Sequence, residues 1–140
     1  MPTAAEPLLL DTSAAVPLVL TDHEAHGATT AALSGRALGL AGHAAFETWS
    51  VLTRLPGARR LSPAAAGRLL AADFAHSRQL GAQEAAVLLA ALASLRLSGG
   101  SVYDALVGAV AVQHDLELVS RDRRALGTYA RLGVRLRLLD

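Results

Sequence analysis

The chain has 140 residues, 52% hydrophobic, 18% charged and 4% aromatic. That is the balance of one compact domain with a core of Leu, Val and Ala, not of a disordered segment. A formal charge of +1 points to neither a strongly basic nucleic-acid binder nor an acidic tail. There is no cysteine, and all thirteen basic residues are arginine, which excludes disulfides, thiolate metal sites, cysteine nucleophiles and any lysine-dependent mechanism. No apolar run approaches the length of a membrane span, and no basic residue precedes the first one, so neither a membrane partner nor a signal peptide is expected and a cytoplasmic location is.

In chain order, Leu8 to Leu10 reads as a short, fully buried strand that stops at Asp11-Thr12-Ser13. A short apolar helix follows to about Leu20. Thr21-Asp22-His23-Glu24 has capping-box spacing and predicts a second helix to about Leu33. Ala37 to Leu40 is a candidate second strand. A third helix runs from about His43 to Leu55 and ends at Pro56-Gly57. Ser62-Pro63 starts a fourth helix, with proline at its first position, and Arg78 to Leu80 is a candidate edge strand. A fifth helix spans roughly Gln83 to Leu95. After Ser98-Gly99-Gly100, Ser101 is expected to cap a sixth helix to about His114. Leu116 to Val119 repeats the opening design, a buried strand followed by a hydroxyl and an acid, here Ser120-Arg121-Asp122. A last helix, Arg123 to Leu132, leads to Val134–Leu139, whose alternation suits an edge strand. Strands separated by helices predict an α/β domain around a parallel sheet, with no internal repeat and no second domain.

Four acids stand out, and each also has a structural explanation. Asp11 would serve as a helix N-cap, Asp122 as a first-turn acid and Asp104 as the partner of a Ser101 cap. Glu47 is harder to explain locally. Its helix reads as apolar nearly all round, hence buried, and Arg54 lies outside i,i+4 reach. Two acids at strand ends and two on helices converge only at the carboxyl edge of the sheet, where open α/β domains bind ligands. Carboxylates crowded there repel unless a cation neutralises them. With neither cysteine nor clustered histidine, the donors favour hard cations, Mg²⁺ or Mn²⁺, and such a centre suits phosphodiester hydrolysis.

Asp11-Thr12-Ser13, Phe46-Glu47-Thr48-Trp49-Ser50-Val51-Leu52-Thr53-Arg54-Leu55-Pro56, Tyr103-Asp104-Ala105-Leu106-Val107 and Ser120-Arg121-Asp122-Arg123-Arg124 occur in an order and spacing that resemble the PIN-domain family. More narrowly, they resemble the VapC ribonuclease toxins of bacterial toxin–antitoxin pairs, and the likeness runs from Leu8 to Leu139. The resemblance implies a PIN-like three-layer α/β domain, its central, mainly parallel sheet flanked by helices. It further implies Mg²⁺- or Mn²⁺-dependent cleavage of RNA, inhibition by a small cognate VapB-type antitoxin, and a homodimer. Carried over by position, Asp11, Glu47, Asp104 and Asp122 form the acidic, metal-binding and catalytic quartet. Ser120 takes the family's hydroxyl position beside the last acid, and Thr12 and Arg121 are further candidates for substrate contact.

Other residues read more plainly. His23 and His26 suit a solvated helix face, His43 and His114 helix ends, and Trp49 the core or an interface. Arg123 and Arg124 could touch phosphate or simply face water. Val16, Leu18, Val19, Leu33, Trp49 and Leu52 are candidates for a groove that receives a partner helix. Two enzymatic alternatives fail: a receiver domain needs a lysine, and a haloacid-dehalogenase phosphatase needs Asp-x-Asp where this chain has Asp11-Thr12-Ser13. The non-catalytic alternative is a PIN-like module that binds metal and a partner.

Overall fold

The structure is a computed structural model and describes residues 5–140. Four strands, β1 (Leu8–Leu10), β2 (Leu38–Leu40), β3 (Leu118–Ser120) and β4 (Leu136–Leu138), form one sheet in the order β2-β1-β3-β4. Every pairing is parallel. Parallel neighbours need crossovers, and seven helices supply them: α1 (Thr12–Val19), α2 (His26–Leu33), α3 (His43–Thr53), α4 (Pro63–Asp73), α5 (Ala82–Ala91), α6 (Ser101–His114) and α7 (Leu126–Leu132).

Three consecutive leucines can all be buried in β1 because the sheet is covered on both faces. Alternation sends Leu9 and Leu118 to one side, with Val107, Val110, Ala111 and Tyr129. Leu8, Leu10 and Val119 go to the other, with Ala14, Ala15, Leu33 and Phe74. A satellite cluster of Leu88, Leu97 and Ala105 seats α5. The three-layer α/β reading therefore holds.

Several local expectations need correction. The capping box at Thr21–Glu24 does not form. His23 Nδ1 accepts from Ala25 N–H at 3.0 Å and Asp22 pairs with Arg59 at 2.8 Å, so α2 starts only at His26. Ser101 is the first residue of α6 rather than its cap, and its hydroxyl donates back to the Ser98 carbonyl at 2.6 Å. The edge strand at Arg78–Leu80 shrinks to a single bridge between Ala41 and Arg78. There the Ser77 hydroxyl takes the Leu40 N–H at 2.8 Å, so a side chain replaces a ladder carbonyl. Of the supposed groove residues, Leu33 and Leu52 are core, and Trp49 lies over Gly67 of α4, where a Cβ would come within 3.2 Å of its ring.

The same edge explains Gly39. A Cβ there would run into the backbone of His76 and Ser77, which cannot swing away as a side chain could. Gly39→Ala is expected to destabilise the domain by about 1–3 kcal/mol or more, as overpacking does. Chemical denaturation would check this, and wild-type stability would mean that the 76–77 segment yields freely.

Candidate active site

The pairing of β1 with β3 sets the geometry. Leu10 lies opposite Val119, and the next amide, Asp11 N–H, donates to the Val119 carbonyl at 3.1 Å. The chain leaves β1 towards β2 on one side while β3 lies on the other, so this strand pair is the switch point where an open α/β sheet forms its crevice. Asp11 follows β1 and Asp122 follows β3. Glu47 comes from the second turn of α3 and Asp104 from the first turn of α6. All four line one cleft of about 230 Å³, together with Thr12, Arg124 and Tyr129.

Each acid is held differently. Asp11 is 5% exposed, and donors surround it: Ser13 Oγ at 2.6 Å and Ala14 N–H at 3.3 Å on Oδ1, and the Tyr129 hydroxyl at 2.8 Å on Oδ2. The residue is thus an N-cap and a cleft acid at once, so the two readings were never exclusive. Asp122 accepts from the N–H of Arg124 at 3.0 Å and from its guanidinium at 3.2 Å. Glu47 corrects the sequence reading. It is exposed, because α3 buries only the face carrying Ala44, Thr48 and Leu52. Its carboxylate stands at the cleft rim and accepts from Thr12 Oγ1 at 3.2 Å.

Asp104 carries the electrostatic load. Burial first, then the charges of Asp122, Asp11 and Glu47, push its carboxyl up from 3.8 to about 6, against a smaller opposing effect of Arg124. Tyr129, 1% exposed, is driven far above the ordinary phenol range by burial and then by the Asp11 charge beside it. It therefore remains an O–H donor to Asp11.

The hydroxyl and arginine candidates sort themselves by placement. Thr12 and Arg124 line the cleft, whereas Ser120 and Arg121 do not. Ser120 is fully buried. Its Oγ accepts from Asp122 N–H at 3.1 Å and lies 3.2 Å from Ser13 Oγ, which in turn accepts from Arg121 N–H at 2.8 Å. Ser13 and Ser120 thus stitch the ends of β1 and β3 together. The Arg121 guanidinium reaches the Asp140 carbonyl at 3.0 Å, and Arg123 pairs with the Asp140 carboxylate at 3.2 Å. Ser13 and Tyr129 were missed as contributors to the site. A lone phenol on the short last helix was the only signal for Tyr129.

The donors suit a hard divalent cation in kind: all are oxygens, and carboxylates that repel one another are relieved by a cation between them. Among the described residues no three acid or histidine side chains stand close enough to grip one ion together. A divalent ion there would take one or two of these carboxylates, the rest of its shell coming from water and substrate phosphate.

Two outcomes follow from this geometry. Tyr129→Phe keeps the ring but leaves Asp11 Oδ2 unpaired, so a loss of about 1–3 kcal/mol is expected in urea unfolding. Asp104 binds its proton more tightly folded than unfolded. Its contribution to stability is therefore full below about pH 4 and lost as pH rises through about 6. In metal-free protein, Asp104→Asn should raise the melting temperature by a few degrees near neutral pH and by nothing at about pH 3.5. An equal gain at both would place the strain elsewhere.

The comparisons agree with this architecture. The model of the PIN domain family matches residues 8–132. The chain is 47% identical over 128 residues to Ribonuclease VapC27 of Mycobacterium tuberculosis, covering 91% of this chain and 93% of that protein. It is 43% identical to Ribonuclease VapC40 of the same species, covering 92% and 96%. Among solved structures, VapBC2 from Rickettsia felis, bound to a DNA fragment from its promoter, superposes with a TM-score of 0.68. It is 12% identical and covers 96% of this chain and all of the matched one. The chain belongs to the PIN-domain family, within its VapC branch.

Proposed function

We propose that this chain is a metal-dependent endoribonuclease that acts as the toxin of a toxin–antitoxin pair. The observation that supports this most is the convergence of Asp11, Glu47, Asp104 and Asp122 on one cleft at the switch point. The kinship to proteins named as ribonucleases supplies the substrate class. Asp11, Glu47, Asp104 and Asp122 would supply the carboxylates for Mg²⁺ or Mn²⁺, one or two of them to an ion, with water and substrate phosphate completing its shell. When bound, the ion would activate a water and offset the charge that develops on the scissile phosphate.

The chain's own residues prepare that chemistry. Tyr129 and Ser13 fix the Asp11 carboxylate in one orientation, and Thr12 steadies Glu47 at the rim. Asp104, whose carboxyl is pushed up to about 6 by burial and its acidic neighbours, presents near neutral pH a strained carboxylate that a cation would relieve. Arg124 lies across Asp122 in an exposed ion pair. Such pairs are weak, so the guanidinium is free to turn to a phosphate oxygen. Ser120, buried, acts as a brace between the strand ends rather than as a substrate contact. The partner in this reading is a small VapB-type antitoxin, and the chain pairs with itself as a homodimer. VapBC2 from Rickettsia felis shares the fold.

The test is cleavage of RNA by purified protein, free of antitoxin, with Mn²⁺ or Mg²⁺. Asp11→Asn and Asp122→Asn are each expected to reduce cleavage at least about 100-fold with circular dichroism unchanged, the scale on which a single electrostatic stabiliser counts. Activity that persists in excess chelator would refute the metal mechanism. Metal and partner binding without any cleavage would leave the non-catalytic module.

A further inference from the structure

A second hollow, of about 430 Å³, adjoins the acidic cleft and shares Glu47 and Asp104 with it as a common wall. Its other walls include His43, Phe46, Ser50 and Tyr103. Phe46 is 68% and Tyr103 55% exposed, whereas Phe74 and Tyr129 are buried in the core. Tyr103 stacks on His43 with ring centroids 5.0 Å apart and planes 23° from parallel. Neither ring is needed to fill the core. Both stand on the turns that carry the site acids, Phe46 beside Glu47 on α3 and Tyr103 beside Asp104 on α6.

We infer that this hollow is a stacking subsite for one unpaired nucleobase of the RNA, next to the phosphodiester held at the acids. The inference rests on the ribonuclease reading above and names the part of the substrate that the acids cannot recognise. Four carboxylates repel an RNA backbone and offer a base nothing to stack on. The aromatic rings offer each base a π-face without regard to its identity, and single-stranded nucleotides are the ones whose bases splay out to reach such rings. The volume lies within the range of about 300–1,000 Å³ usual for small-ligand sites. Continuity with the acidic cleft favours RNA over a docked protein helix. Such a helix would want an apolar stripe, and this hollow is bounded by Glu47, Ser50 and Asp104.

The test uses the full chain with a hexanucleotide RNA that carries 2-aminopurine, with Ca²⁺ in place of Mn²⁺ and the RNA checked for integrity on a gel. Stacking should quench the fluorophore. Because both rings are exposed, Phe46→Leu and Tyr103→Leu leave the core intact. Each is expected to relieve the quenching and weaken binding about 5- to 100-fold, the range of base–aromatic stacking. An oligonucleotide abasic at the same position should bind wild type and the variants alike. Wild-type quenching and affinity in both variants would overturn the subsite. So would variants that keep their hold on RNA but lose a co-expressed antitoxin, since the rings would then be a protein-docking surface. Quenching by wild type together with no cleavage in Mn²⁺ would leave the subsite standing and overturn the ribonuclease reading instead.

Discussion

Everything in this molecule hangs on the register between β1 and β3. With Leu10 opposite Val119, Asp11 emerges level with Ser120, the last residue of β3, and Asp122 follows two residues on at the same carboxyl edge. The Ser13–Ser120 contact then ties the two loops before they diverge. Slipping one strand by a residue would send its own leucine, Leu9 or Leu118, from their shared face to the opposite layer. It would also separate Asp11 from the loop that bears Asp122. The core and the cleft are therefore set by the same choice of partner, and no substitution that shifts this pairing can leave the acids where they are.

The acidic edge illustrates how a fold accommodates a destabilising feature. Asp11 is nearly buried with no ion pair among the described residues, and three donors satisfy it: a hydroxyl, an amide and a phenol. A carboxylate so provided with hydrogen bonds tolerates burial that a bare one would not. Asp104 has no comparable support, and it is Asp104 whose carboxyl is pushed up to about 6. The strain at the site is thus uneven. It falls on the acid that stands on the helix face turned towards the other three, while the strand-end acids double as caps for the chain that follows them.

That doubling explains what the sequence disclosed and what it concealed. The β1 and β3 motifs were legible because buried apolar triplets ending in an acid admit few other readings, and the acids of Asp11-Thr12-Ser13 and Ser120-Arg121-Asp122 lie where that pattern puts them. Glu47 reaches the cleft for a different reason from the one its surroundings implied. Trp49 and its alanine, valine and leucine neighbours made α3 look buried all round, yet Trp49 is exposed and the helix buries only one narrow face. Composition cannot separate an apolar residue that fills a core from one kept at a surface. Arg121 and Ser120 misled in the opposite sense. Adjacency to Asp122 along the chain says nothing about which way a loop side chain turns, and here one turns to the C-terminus and the other into the core. Tyr129 was invisible because its partner is 118 residues away.

The spacing of the acids has its own logic. Had three carboxylates closed on a single point, their mutual repulsion would have burdened the metal-free fold far more, and a cation would have been gripped without help from the substrate. Asp11 has already committed most of its acceptor capacity to protein donors, and Asp122 is partly occupied by Arg124. A hard cation in such a cleft would complete its shell with water and phosphate oxygen. Affinity for the ion and affinity for the nucleic acid would then be coupled, each completing what the other lacks. On that view, the nearly neutral net charge of the chain is no obstacle to binding a polyanion. Under the proposed function, the positive charge that RNA requires would arrive with the ion.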